Sequence, residues 1–229
     1  MTTQRAVILA AGRGSRLGLD QALPKPLQPV GGVPLIVRIL RKLERAGITD
    51  VGVVVGYQGN QLSHALSKAR FDMRVRSIVN SEWQKPNGTS LLAARDFIDG
   101  PTLVLMSDHL FSLPLVQRVQ AYPLAMDEVV LGVDYNPSRC FDIDDATKVK
   151  LNGNQITDIG KTLTHYDALD TGVFKVTPAL IRALDQVNGP EGCSLSEGIA
   201  VLASKGKMRA VDIGNAAWID VDTPQAKRH

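Results

Sequence analysis

The chain has 229 residues, of which 44% are hydrophobic and 21% charged, and 26 basic side chains against 23 acidic ones give a net charge of +3. This balance is typical of a globular domain and excludes a disordered chain, a collagen-like repeat and a coiled coil. The small charge excess also argues against a nucleic-acid-binding protein, because binding to phosphate backbones usually requires a concentrated basic face.

The first half of the chain alternates strand patterns with helix patterns. Short apolar or alternating runs predict strands at Ala6–Ala10, Val51–Val55, Arg74–Val79 and Thr102–Met106. Apolar stripes at helical spacing predict helices at Pro34–Gly47, Gln58–Ala69 and Gly88–Ile98. This alternation predicts a parallel sheet with helices on both faces, and ligands of such sheets bind beyond the carboxyl ends of the strands. The segments that follow the four strands are therefore expected to meet at one mouth.

The second half is less regular. The turn signal Asn152-Gly153-Asn154 predicts a β-hairpin between Lys148–Leu151 and Gln155–Thr157. Further strands are predicted at Val129–Val133, Thr171–Val176, Met208–Ile213 and Ala217–Val221, and helices at Pro178–Val187 and Leu195–Lys205. We predict a single domain, 1–229, of the α/β class. It has a doubly wound, mostly parallel sheet, and the hairpin forms an inserted subdomain over that sheet.

A loop rich in glycine and arginine follows the first strand. Gly12 and Gly14 lack side chains, so their backbone N–H groups can approach an anion. Arg16 adds a planar fork of donors, and Lys25, held between two prolines, adds a point charge. The segment lacks GxxxxGK[ST] and the third glycine of GxGxxG, so it is neither a P-loop nor a dinucleotide fingerprint. A glycine-rich connection with solvated arginines is the local alternative.

Three aspartates lie at the ends of two other predicted strands. Asp108 follows the strand that ends at Met106, whereas Asp220 and Asp222 stand two residues apart and point to one face of a late strand. Oxygen ligands of this kind suit Mg²⁺. The local alternatives are a helix cap by Asp108 or Asp222, or a solvated strand end.

Two further segments have polar side chains in unusual arrangements. Asn87-Gly88-Thr89 opens a predicted helix, and small residues there allow a flat base to lie against backbone amides, although a simple helix cap is the alternative. Asp142–Asp145 carries three carboxylates in four residues, which suits either a binding segment or a solvated turn.

Together, Leu9-Ala10-Ala11-Gly12-x-Gly14-x-Arg16-Leu17 and Pro24-Lys25-Pro26-Leu27 resemble the signature of the sugar-phosphate nucleotidyltransferases. The resemblance implies a Rossmann-like nucleotidyltransferase fold in which the loop backbone and Arg16 hold the β- and γ-phosphates and Lys25 neutralises the α-phosphate. It further implies that Asp108 and Asp222 bind Mg²⁺, with Asp220 sharing the site. The NTP-binding residues that it implies are Leu9, Ala10, Ala11, Gly12, Arg13, Gly14, Asn87, Gly88 and Thr89.

Within that family the chain is most similar to the CTP:inositol-1-phosphate cytidylyltransferases, through Asp142–Val149, Ile159–Lys161, Ala168–Phe174 and Trp218–Pro224. This similarity implies that residues 1–135 mainly bind CTP, that residues 136–229 mainly bind the acceptor, and that the product is a CDP-linked phospholipid precursor. It groups Lys161, near the acceptor phosphate, with the catalytic residues Arg16, Lys25 and Asp108. The acceptor-binding residues implied are Asp144, Asp145, Lys148, Asp170 and Thr171, while His109 is expected to pack beside Asp108.

Several alternatives stay open at this point. The acceptor could instead be phosphocholine, an aminoalkylphosphonate or a hexose-1-phosphate, and a chain of a different class would be a regulatory domain that binds nucleotide without turnover. The expected partners are CTP and a small phosphorylated acceptor, without nucleic acid or membrane insertion, and a homodimer is left open. With no membrane-length apolar run, no signal peptide and no CxxC pair, we expect a stand-alone cytoplasmic protein.

Overall fold

The computed structural model describes residues 3–14, 23–140 and 142–221. The strands in these ranges are β1 (Arg5–Ala10), β2 (Pro29–Val30), β3 (Val33–Pro34), β4 (Asp50–Val55), β5 (Arg74–Val79), β6 (Thr102–Met106), β7 (His109–Phe111), β8 (Val129–Asp134), β9 (Lys148–Asn152), β10 (Gln155–Gly160), β11 (Ala168–Val176), β12 (Met208–Asp212) and β13 (Trp218–Asp220). The α-helices are α1 (Leu35–Arg45), α2 (Gly59–Lys68), α3 (Asn87–Ala93), α4 (Leu113–Ala121), α5 (Pro178–Val187) and α6 (Leu195–Ser204).

A nine-stranded sheet runs through the domain, and its first part is parallel as predicted. The strands β5, β4, β1 and β6 lie side by side in that order. Along β1, the side chains of Ala6 and Ile8 pack on one face while those of Val7 and Leu9 pack on the other. Because helices cover both faces, the strand is apolar at every position rather than alternating. The segments that follow these four strands lie at one edge of the sheet.

The second part of the sheet is mixed. The strand β11 pairs antiparallel with both β6 and β8, and β8 pairs parallel with β12. The predicted hairpin β9–β10 forms around Gly153, but its strands belong to the main sheet rather than to a separate layer. The backbone of β10 bonds to β12, and that of β9 bonds to the first residues of β11. The five strands β11, β8, β12, β10 and β9 therefore close into a ring.

Two elements differ from the sequence prediction. The helix expected over Gly88–Ile98 ends at Ala93 and is followed by a short 3₁₀-helix at Arg95–Phe97. The strand β13 does not join the main sheet but pairs antiparallel with β7, an element that the sequence did not suggest. This two-stranded β7–β13 ribbon, with residues 108–112 and 217–221, carries two of the predicted carboxylates.

Two hydrophobic layers flank the sheet, which is the arrangement expected of a doubly wound fold. On one face α1, α2 and α4 contribute buried side chains such as Leu40, Leu62 and Leu115. On the other face α3, α5 and α6 contribute Leu91, Leu184 and Ile199 among others. Within the described ranges, no helix combines the length and the apolar character that crossing a membrane requires.

Candidate active site

The loop after β1 packs directly against Lys25. Gly14 has a φ of +65°, and a Cβ built there would lie 2.8 Å from the Cβ of Lys25. The lysine sits in a short 3₁₀-helix, Lys25–Leu27, and is only 8% exposed. Glycine is therefore needed at position 14 for two reasons: the left-handed backbone and the close approach of Lys25. Together they fix the lysine stem against the loop.

Replacement of Gly14 by alanine tests this contact. Both Gly14→Ala and Gly153→Ala place a side chain at a φ near +60°, which costs about 1–2 kcal/mol of stability in each variant. Nothing lies within 4 Å of a Cβ at Gly153. Only Gly14→Ala displaces Lys25, so its kcat is expected to fall by about 10- to 100-fold while Gly153→Ala keeps the wild-type kcat. Steady-state kinetics alongside thermal melts separate the two effects; equal kcat values would contradict the contact's role.

The other residues of the predicted loop divide between cavity and core. Leu9, Ala11 and Gly12 line a cavity of about 280 Å³ at the end of β1, whereas Ala10 packs in the core on the opposite face of the sheet. The guanidinium of Arg13 lies 5.6 Å from the ring centre of Tyr57. The predicted phosphate ligand Arg16 lies outside the described residues.

Asp108 lies between two cationic side chains. Its Oδ2 is 3.2 Å from Lys25 Nζ, and its Oδ1 is 2.8 Å from His109 Nδ1. Burial acts to raise the pKa of the Asp108 carboxyl, but the hydrogen bond from His109 and the charges of His109 and Lys25 lower it well below its usual range. The carboxyl is therefore ionised throughout the neutral range.

His109 is held as a cation by its surroundings. Burial acts to lower its pKa, but the hydrogen bond to Asp108 and the charges of Asp108, Asp220 and Asp170 raise it to about 9. Its ring stacks on that of Trp218, with an angle of 7° between the two ring planes and 6.1 Å between the ring centres. His109 is thus a packed neighbour of Asp108, as the sequence analysis expected.

Asp108 lies in a wall that two cavities share. The cavity beside the glycine loop is lined by Lys25, and the second, of about 310 Å³, is lined by Lys161. Asn87, Met106 and Asp108 line both. A group in one cavity can therefore meet a group in the other at Asp108.

The donors around Asp108 suit a hard divalent cation. One ligand atom from each of Asp108, His109 and Asp220 lies within 4.8 Å of the others. His109 is protonated at neutral pH, because its pKa is raised to about 9, so neither ring nitrogen has a lone pair for a metal. The carboxylate oxygens of Asp108 and Asp220 are therefore the donors that fit, and Mg²⁺ prefers such oxygens. The predicted ligand Asp222 lies outside the described residues.

The segment predicted to contact the base is packed against the start of α6. Asn87 Oδ1 accepts a hydrogen bond of 2.9 Å from Leu195 N, and Thr89 Oγ1 accepts one of 3.3 Å from Cys193 N. A Cβ at Gly88 would lie 2.6 Å from the carbonyl oxygen of Cys193. Of the three predicted residues only Asn87 lines the cavities, and a contact between this segment and the base stays a prediction.

Three of the predicted acceptor-side residues line the second cavity. They are Asp145, Lys161 and Asp170, and Lys161 Nζ lies 2.6 Å from Asp145 Oδ1. Burial raises the pKa of Asp170 to about 6, against the opposing effects of the hydrogen bond from Gly172 N and the charge of His109. This cavity thus offers a cation and hydrogen-bond acceptors to one ligand.

The other three predicted acceptor-side residues are engaged elsewhere. Lys148 is 8% exposed, and its Nζ donates to the carbonyl oxygens of Asp144 and Lys161, both at 3.0 Å. The hydroxyl of Thr171 is fully buried and donates to the carbonyl of Gly132. Because neither these side chains nor that of Asp144 lines the cavity, the structure does not bring them to the site.

The cavities also contain residues that sequence reasoning missed. Helix α3 and the segment after β5 add side chains to the cavity beside the glycine loop, which we call the loop-side cavity. The 140s loop, β11 and α6 add others to the cavity lined by Lys161, which we call the acceptor-side cavity. They are Trp83, Lys85 and Ser90 in the first, and Cys140, Thr147, Phe174, Ser196 and Ile199 in the second. The predicted convergence of strand ends was the signal for Trp83 and Lys85. Thr147 and Phe174 lie in segments that resemble the cytidylyltransferases, whereas no local pattern pointed to Ser196 or Ile199.

Comparisons with known proteins identify the family of the chain. The MobA-like NTP transferase domain matches residues 6–138. A "Bifunctional IPC transferase and DIPP synthase" of Rubrobacter xylanophilus is 37% identical over 97% of this chain and 50% of its own length. A "CMP-5'-(3-aminopropyl)phosphonate synthase" of Streptomyces rubellomurinus is 29% identical over 98% of this chain and 38% of its own length.

A solved structure supports the fold. The inositol-1-phosphate CTP transferase from T. maritima superposes with a TM-score of 0.84 at 24% identity, covering 99% of this chain and 92% of that one. The chain spans about half the length of the Rubrobacter relative. Since the domain match covers more than half of the 229 residues, the chain belongs to the MobA-like NTP transferase domain family of nucleotidyltransferases.

Proposed function

We propose that the domain joins CTP to a polyol phosphate of the inositol-1-phosphate class, giving a CDP-linked phospholipid precursor and pyrophosphate. The observation that carries this proposal is the pair of cavities with a shared wall at Asp108, one holding Lys25 and the other Lys161. The names of the relative from Rubrobacter and of the structural neighbour from T. maritima supply the substrate class.

In the proposed reaction, an oxygen of the acceptor phosphate attacks the α-phosphorus of CTP. A new P–O bond forms as the bond to the bridging oxygen of pyrophosphate breaks, and pyrophosphate leaves with that electron pair. The attacking phosphate is already ionised near neutral pH, so no base is required. Lys25 offsets charge at the α-phosphate and Lys161 holds the acceptor, so catalysis rests on positioning and charge stabilisation.

We assign Mg²⁺ to the oxygen donors of Asp108 and Asp220, with Asp222 as a further ligand. When bound, the ion neutralises phosphate charge and orients the oxygens that react. The chain itself prepares this site by keeping the Asp108 carboxyl ionised through Lys25 and His109. We also propose a cytoplasmic location, because Cys140 and Cys193 are both free thiols, as in reducing compartments.

One feature favours a second acceptor class. The acceptor-side cavity is lined by five carboxylates but, among the described residues, only one lysine and one histidine: Asp108, Asp142, Asp145, Asp170 and Asp220 against Lys161 and His109. Carboxylates accept hydrogen bonds from polyol hydroxyls, but they also attract an ammonium group. An aminoalkylphosphonate, as in the name of the Streptomyces relative, is therefore the second candidate.

Pyrophosphate release distinguishes these acceptors. The purified chain is incubated with Mg²⁺ and CTP, UTP, dTTP, ATP or GTP, each with inositol-1-phosphate, 3-aminopropylphosphonate, phosphocholine or glucose-1-phosphate. We expect release with CTP and inositol-1-phosphate. Release with the aminoalkylphosphonate alone would select the second candidate, and no release with any pair would favour nucleotide binding without turnover.

The role of Lys161 predicts a selective effect on the acceptor. Lys161→Met removes the cation that faces the acceptor phosphate, and a charge-assisted hydrogen bond of this kind is worth about 1.5–3 kcal/mol. The KM for the acceptor is expected to rise by about 10- to 100-fold while the KM for CTP changes little. Lys150→Met, on the exposed side of the same hairpin, is the control and keeps both values. A rise in the KM for CTP alone would mean that Lys161 contacts CTP and not the acceptor, and would contradict its assigned role.

A further inference from the structure

The β7–β13 ribbon is separate from the main sheet, yet it carries the carboxylates of the proposed reaction. Backbone hydrogen bonds join its two strands at both ends. Ser112 N donates to the carbonyl oxygen of Ala217 at one end, and Val221 N donates to that of Asp108 at the other, both at 2.8 Å. The two strands of the ribbon therefore move together. Any contact that fixes β13 to the sheet also fixes Asp108 and Asp220.

Such a contact is made by Trp218. Its Nε1 donates a hydrogen bond of 2.8 Å to Oδ2 of Asp134, the last residue of β8. The Asp134 side chain is almost entirely buried, at 1% exposure, and its Oδ1 accepts a second hydrogen bond of 2.9 Å from Asn136 N. A buried carboxylate with both oxygens bonded has one orientation, so it holds the indole ring in one place.

The indole ring in turn holds His109. The two rings stack, and the backbone of Gly172 lies against the histidine ring, since a Cβ there would be 2.9 Å from His109 Cδ2. With its ring confined by these contacts, His109 directs Nδ1 at Oδ1 of Asp108. Oδ2 of Asp108 then faces Lys25.

We propose that Asp134 is a positioning residue, which acts through Trp218 and His109 to orient the Asp108 carboxylate. This inference rests on the proposed function, because the orientation matters only if Asp108 serves the transfer. Partners that orient the groups around a metal or reacting centre typically change activity by about 10- to 100-fold when they are replaced. Asp134 lies in neither of the two cavities, so direct contact with a substrate is not its role.

A double-mutant cycle tests the proposal. Asp134→Asn puts an NH₂ group where one of the two accepting oxygens was, so it cannot accept at both positions, from Trp218 Nε1 and from Asn136 N. Trp218→Phe keeps a ring but removes the donor. We expect each change to lower kcat by about 10- to 100-fold with little change in the KM for CTP. The double variant should be no slower than the slower single variant, because both changes break one chain of contacts.

The control is Asp212→Asn. Like Asp134, Asp212 accepts a hydrogen bond from the backbone N–H two residues later: Gly214 N donates to its Oδ1 at 2.7 Å. Asp212 does not hold an indole ring, so the kcat of Asp212→Asn should equal that of the wild type. Trp218 itself lines the acceptor-side cavity, so if Asp134→Asn does not fold, the substrate-free ring signal of His109 in Trp218→Phe carries the test. Wild-type kcat in the folded variants, or losses that multiply in the double variant, would overturn the proposal.

A second readout needs no substrate. In ¹H–¹³C spectra of the free protein, the ring signal of His109, assigned as the one lost in His109→Gln, should move in both Asp134→Asn and Trp218→Phe but not in Asp212→Asn. An unmoved His109 signal would refute the chain of contacts even in an active enzyme. Conversely, a wild-type chain that shows no transfer but the expected shifts would refute the proposed function and leave the contacts intact.

Discussion

Asp108→Asn is expected to lower kcat by about a thousandfold while the chain stays folded. The substitution keeps the shape of the side chain but removes the charge that faces Lys25 and that, under the proposed function, binds the divalent cation. Electrostatic groups aimed at a reacting centre are worth about 10²- to 10³-fold each, and this one serves two such interactions. The loss should lie in kcat because Asp108 acts where the cavities meet rather than on one substrate.

The control for this variant is Asp99→Asn. Asp99 also pairs with a cation, Arg5, but its side chain is 72% exposed. Exposed pairs contribute about 1 kcal/mol or less, so neither kcat nor stability should change much. Circular dichroism shows whether Asp108→Asn is folded, and titration with Mg²⁺ should show a weakened dependence. A folded Asp108→Asn enzyme within tenfold of the wild-type kcat would contradict both the assigned metal site and the mechanism.

Lys25→Met has the second largest expected effect, a fall in kcat of about 10²- to 10³-fold. The lysine is buried against Gly14, and its ammonium faces Asp108 in the loop-side cavity. Methionine occupies the space of the lysine stem but, under the proposed function, leaves the α-phosphate without its cation at the moment of attack. Because that charge is needed most in the transition state, the KM for CTP should change less than kcat.

Lys175→Met is the matched control, since it removes another buried lysine. Nζ of Lys175 donates to the carbonyl oxygens of Gln120 and Tyr122, and burial lowers the pKa of this lysine. Its loss leaves two carbonyls without a partner, which costs about 1–3 kcal/mol of stability with no effect on kcat. Thermal melts should therefore show the larger loss of stability in Lys175→Met, whereas kinetics should show the loss of kcat in Lys25→Met. Equal losses of kcat would mean that Lys25 acts only as a core residue.

The sequence was sufficient for the elements that depend on local patterns. The apolar run of β1 and the strand ending at Met106 predicted that the segments after both strands meet at one mouth. The structure pairs these two strands directly, which places the glycine loop beside Asp108. The contact between Lys25 and Asp108 spans 83 positions, so it followed from the fold rather than from any spacing.

Other features depend on pairing that no local pattern encodes. The β7–β13 ribbon joins residues more than 100 positions apart, and β7 is only three residues long. Residue type also does not show which way a side chain points. Thr171 and Lys148 are polar and lie in the segments expected to bind the acceptor, yet both are buried and bonded to backbone carbonyls.

The closed ring of β11, β8, β12, β10 and β9 bears on how copies of the chain can associate. β9 and β10 each have a neighbouring strand on both sides, although β10 meets β12 only at Gln155 and Arg209. Among the described strands, β5 is therefore the one strand of the nine-stranded sheet with a neighbour on a single side. That strand carries Arg74 and Arg76, and such charges discourage strand addition from a second molecule. Self-association of this domain is therefore expected to use a helical face rather than an extension of the sheet.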